Sequence, residues 1–204
     1  MTQLDLVTSS LFSNPQGADP LANGLATAVL IGMGLAVLYV IVLLVQATTA
    51  ETVPASDQPA WQQQAIAFLS LLGLGVAAYL TYVKLTHTEA YCGPVGDCYA
   101  VQMSRYSELF GVPVAVLGGL TYLVVLALWS LERYGKGSLQ ELAPLGRFGL
   151  TLVGTLFSIY LTFLEPFVIG KVCIWCLTSA VTITLLLLLS VKPALSSIAV
   201  GGEE

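Results

Sequence analysis

Five long apolar stretches, residues 25–45, 65–83, 112–131, 148–169 and 172–191, govern what this chain can fold into. Each approaches the roughly 20 apolar residues that cross a bilayer as a helix, and a lipid-exposed strand there would leave its backbone hydrogen bonds unmade. The sequence therefore predicts an all-α, multi-pass membrane bundle. Composition agrees: 56% of the 204 residues are hydrophobic and 9% are charged, whereas about a quarter of a soluble domain is charged. Mean hydropathy is +0.85. A net charge of −5 with only seven Lys plus Arg provides no basic face for nucleic acid. Residues 1–20 contain no Lys or Arg to form the basic region of a cleaved signal, so that segment reads as retained.

The four cysteines fall in two close pairs, Cys92/Cys98 in the connector after the second span and Cys173/Cys176 at the entry to the fifth. Two crossings separate the pairs, which places both on one side of the membrane. That side, helix ends included, carries Lys84, Arg105 and Lys171; the other carries Arg133, Lys136, Arg147 and Lys192. The positive-inside rule and the persistence of disulfides outside the cytosol both favour an extracytoplasmic or lumenal cysteine face. The amino-terminal residues 1–20 then lie on that face. An extra span (21–46), a solvent loop (47–64), a four-helix core (65–192) and a mobile tail (193–204) follow.

Cysteines three apart on a helix lie roughly 5–6 Å from each other on one face, within reach of a disulfide. Position at the membrane entry suggests an outer sulfur, Cys173, that meets incoming thiols and an inner one, Cys176, that meets a lipid-soluble acceptor. Gly93, Pro94 and Gly96 permit the tight reversal that brings Cys92 to Cys98. Together the pairs suit a relay of electrons from thiols to a membrane acceptor. Two other readings stand beside it: a non-enzymatic membrane subunit with structural disulfides, and a four-cysteine zinc site. Zinc is the weaker, because such sites close over a small soluble core rather than entering a membrane helix.

Other residues carry two readings each. Glu165, the only acid inside a proposed span, is a candidate proton carrier, but its place near the interface beside Pro166 favours a snorkelling helix-end carboxylate. Trp175 is an interfacial anchor or a wall of the acceptor pocket, and Ser104 a pocket donor or a local cap. His87 reads as interfacial. Residues 132–147 read as an interfacial connector, and those after Cys98 as a short surface helix ending near Gly111 and Pro113. Gly73/Ala77 and Gly154/Ser158 offer small faces for close helix contact.

The run from Tyr91 to Cys98, Ser104, Phe110-Gly111-Val112-Pro113 with Leu117-Gly118, and Cys173-Ile174-Trp175-Cys176 together resemble the vitamin K epoxide reductase family, particularly its bacterial members. The likeness covers about residues 65 to 192 and leaves out the first span. It implies a four-helix core around a quinone, with Cys92 and Cys98 as a shuttle pair and Cys173 and Cys176 as the active-site pair. By the same resemblance Cys176 lies nearest the quinone, and Cys98 is the partner of Cys173 during transfer. Ser104, Trp175, Val114 and Ala180 are the further candidate quinone contacts. Vertebrate members place an asparagine and a tyrosine where this chain has Val114 and Ala180, which points away from the vitamin K epoxide. A ubiquinone, menaquinone, plastoquinone or phylloquinone type is the expected acceptor. No thioredoxin-like domain is read in the chain, so a separate thioredoxin-like thiol-disulfide protein is the implied partner, in a bacterial inner membrane or a thylakoid.

Overall fold

In the computed structural model, which describes residues 20–49, 59–92 and 96–201, the apolar stretches form helices longer than the stretches themselves. Readings that concern residues 1–19, 50–58, 93–95 and 202–204, among them the Gly93-Pro94 part of the reversal, lie outside the described residues. The first helices are α1, Pro20–Thr49, and α2, Ala60–Thr86. A short α3, Cys98–Gln102, precedes α4, Val114–Tyr134. The last two are α5, Ser138–Leu164, and α6, Ile174–Gly201. All but α3 are long and apolar enough to cross a membrane, so the described chain is a multi-pass membrane bundle.

The predicted surface helix after Cys98 breaks into smaller pieces. After α3 comes a 3-10 turn, Arg105–Ser107, and then a hairpin of β1, Glu108–Leu109, against β2, Val112–Pro113. Phe110 and Gly111 turn the hairpin with φ of 53° and 80°, left-handed values that no helix contains.

Residues 132–147 do not form the expected interfacial connector. Helix α5 starts at Ser138 and carries Pro144 within it. Arg147 is wholly buried, donating through Nη1 to the Glu132 carboxylate and through Nε to Ser190 Oγ at 3.2 Å. Charge-paired with Glu132 and hydrogen-bonded to Ser190, though with Nη2 left without a partner, the cation is held inside the bundle and the helix runs past it.

Helices α2, α4, α5 and α6 pack around a core that includes Ile66, Tyr122, Val125 and Leu186. Gly73 allows the closest approach, because a Cβ there would fall within the Tyr122 ring. The Gly154 face of α5 likewise meets Ile183 of α6, where a Cβ would stand only 3.1 Å from its Cγ1 and force that side chain to shift. Helix α1 lies outside these four along α5 and α6. Val40 packs there with Phe148, Leu187 and Val191, and Ala22 and Ala26 with Val172 and Leu177.

Candidate redox centre

Asp97 begins the site. Its carboxylate accepts the Ala100 N–H at 3.0 Å and so caps α3, whose first residue is Cys98. Cys98 is joined to Cys92 in a disulfide with Cα atoms 5.6 Å apart. The loop carrying this disulfide is tied to the chain just before α6, because the Asp97 N–H donates to the Val172 carbonyl at 3.0 Å. Gly96, at φ +94°, permits that approach: a Cβ there would collide with the Val172 oxygen. On the other side the Trp175 indole N–H donates to the Tyr91 carbonyl at 2.8 Å. The Tyr91 N–H in turn donates to the Tyr79 hydroxyl at 3.0 Å, and the Tyr79 and Trp175 rings pack 5.0 Å apart. Residues next to both pairs thus hold the loop over the entry to α6.

Beneath it, Cys173 and Cys176 are free thiols with sulfurs 2.8 Å apart. Because α6 starts at Ile174, Cys173 stands at its N-cap, and its sulfur accepts the Cys176 N–H at 3.3 Å where a capping oxygen would. Cys173 is not open to thiols arriving from solvent: it is completely buried, and Cys176 is the more accessible of the two. Cys173 shares its apolar cluster with Cys98, under the loop.

Glu165 also departs from its favoured reading. A snorkelling carboxylate would reach water, yet Glu165 is 3% exposed, and its Oε2 accepts the Cys173 N–H at 2.8 Å. The cause is local. Helix α5 ends in a π turn, Glu165–Ile169, and that wider turn aims the side chain inward beneath Cys173.

A cavity of about 160 Å³ opens between α2, α4, α5 and α6, below the loop. Its walls are mostly apolar and include Val76, Leu80, Leu117, Phe157, Leu161 and Ile183. Cys176 faces it, with Gln102, Glu165, Thr162 and Ser179 as polar lining. Gln102 donates its side-chain N–H to the Cys176 sulfur at 3.6 Å.

Residues 64–191 match the sequence model of the vitamin K epoxide reductase family. The chain belongs to the vitamin K epoxide reductase family. A relative in *Arabidopsis thaliana*, thiol-disulfide oxidoreductase LTO1, is 40% identical over 123 residues, which cover 56% of this chain and 32% of that protein. The chain thus spans about a third of that relative's length.

Within this family member, Val114, Ala180, Ser104 and Cys176 all line the cavity, whereas Trp175 lies outside its wall, against Tyr79 and Tyr91. Ser104 donates to the Val101 carbonyl at 2.7 Å, so its hydroxyl serves the local turn while its side bounds the cavity. Gln102 and the Tyr122 phenol, which lies 3.0 Å from both the carbonyl and hydroxyl of Ser179, were not singled out in the sequence. Gln102 lies four residues after Cys98, one helical turn along α3, and that spacing was the available signal. Lys84, counted from the sequence only as a charge on the cysteine side, supports the site as well. It donates to the Gln102 carbonyl at 2.8 Å and to Ser107 at 2.9 Å, and pairs with Glu108 at 3.0 Å, holding the far end of the loop.

Proposed function

We propose that this chain is a membrane thiol oxidoreductase that takes electrons from a thioredoxin-like protein through Cys92/Cys98 and Cys173/Cys176 and passes them to a membrane quinone, sustaining disulfide formation on the extracytoplasmic or lumenal side. The observation that carries this reading is the position of Cys176, whose sulfur is 2.8 Å from that of Cys173 and which also lines a cavity between the long apolar helices.

Each exchange is attack by a thiolate on a disulfide sulfur through a mixed disulfide. A partner dithiol reduces Cys92–Cys98, and Cys98, in the same cluster as Cys173, then reduces Cys173–Cys176. The cavity residues fit a quinone: apolar walls with a few polar groups, Gln102, Thr162 and Ser179 among them, are the usual lining of a site for a largely hydrophobic ring. Val114 and Ala180 offer no side-chain donor there, which favours a respiratory or photosynthetic quinone over the vitamin K epoxide. Bound there, a quinone would supply a two-electron, two-proton acceptor. The mostly apolar walls would pack against the ring, and Gln102 orients the Cys176 sulfur.

The test is quinone reduction by purified protein in lipid with a small dithiol as donor. Cys173→Ser and Cys176→Ser should each abolish it, because no other pair faces the cavity; undiminished turnover in either variant would remove the assignment.

A further inference from the structure

Glu165 is the one carboxylate among the residues lining the cavity. It accepts the Cys173 N–H at 2.8 Å and lines the same cavity as Cys176, whose sulfur is 2.8 Å from that of Cys173. Its backbone is fixed as firmly as its side chain: the N–H groups of Gly170 and Lys171 both donate to the Glu165 carbonyl, the latter at 3.1 Å. The π turn therefore does more than end α5. It sets a carboxylate beside Cys173 and against the apolar cavity that Cys176 also lines, and π turns of this kind are frequent at functional sites. Thr162 and Ser158, three and seven residues earlier on the same face of α5, continue a polar edge down the cavity wall.

We propose that Glu165 carries protons between the Cys173/Cys176 dithiol and the electron acceptor in the cavity. This rests on the relay reading above and assigns the proton half of it. Oxidation of the dithiol breaks two S–H bonds, forms one S–S bond and frees two electrons and two protons. The electrons pass to the acceptor, a quinone by chemical class, whose two oxygens need those protons. Glu165 takes the Cys176 proton, gives it up to an acceptor oxygen and, again a carboxylate, takes the Cys173 proton for the other. A carrier is needed because Cys173 and Glu165 are buried beside mostly apolar cavity walls, where charges separated without one would be poorly solvated. Proton transfer by a positioned side chain contributes about 10²–10⁴-fold to a rate.

Redox-difference infrared spectroscopy of the quinone-free protein in lipid reads the carboxyl directly. Switching Cys173/Cys176 between dithiol and disulfide should change a protonated-carboxyl band that moves in heavy water. Glu165→Gln keeps an oxygen for the Cys173 N–H but cannot carry a proton. It should remove that band and slow turnover with a small dithiol by about 10²-fold or more. Glu165→Asp keeps a carboxyl and should retain a displaced band with partial turnover, which also covers failure of the Gln variant to fold. A difference spectrum unchanged by either substitution overturns the proposal, even where turnover falls, because the role would then be structural. Wild-type protein that passes no electrons from dithiol to quinone overturns the relay reading along with it, whereas Glu165→Gln turning over at the wild-type rate overturns proton carriage alone.

Discussion

Gly96 shows how one residue sets the clearance between the two cysteine pairs. At φ +94°, with the Val172 oxygen where a Cβ would be, only glycine satisfies both the backbone and the contact. Gly96→Ala should cost about 1–3 kcal/mol locally and weaken the hydrogen bond from Asp97 to Val172. Hydrogen exchange at the Asp97 amide should accelerate while the spanning helices stay as protected as before; unchanged exchange at Asp97 would show that the loop is held by other contacts. The cysteines were legible because a C-x-x-C at a membrane entry has few uses. The burial of Glu165 was not, since a π turn has no signature in the sequence and a carboxylate beside a proline near a span end normally reaches water.

At the scale of elements, the loop from Tyr91 through α3 forms a cover, and the cover explains a division of labour. On the proposed relay, a thioredoxin-like donor would be too bulky to reach the wholly buried Cys173 and would deliver its electrons to Cys92–Cys98. Cys92→Ser should stop turnover with such a donor but leave measurable turnover with a small dithiol; equal losses with both, in folded protein, would make the loop disulfide structural. The elements themselves were largely legible, since each apolar stretch became a spanning helix. Their ends were less so. Apolar content alone placed the start of the fourth span near Phe148, whereas α5 begins at Ser138 because Glu132 and Ser190 neutralise and solvate Arg147 from neighbouring helices. No local pattern encodes such a partnership between distant positions.

For the molecule as a whole, the two ends of the bundle are built from different chemistry: sulfur and a carboxylate at one, and the Arg147–Glu132–Ser190 set at the other. Glu132 is 10% exposed at its side chain and Arg147 not at all, so removal of the cation leaves a largely buried anion. Arg147→Leu should destabilise the bundle by about 3–5 kcal/mol, while Arg147→Leu combined with Glu132→Leu should recover much of the loss. Denaturant unfolding in a fixed lipid-detergent mixture would measure both, and equal stability of the single and double variants would rule out a buried-charge penalty.

Helix α1 lies outside the family match, yet it runs the full depth of the α5–α6 seam, from Ala22 and Ala26 on Val172 and Leu177 to Val40 on Leu187 and Val191. For a molecule dissolved in the bilayer, that flank is a closed wall. On the proposed relay, traffic between the membrane pool and the cavity would use the flanks bounded by α2, α4 and α5, so the extra first span gives the bundle a front and a back.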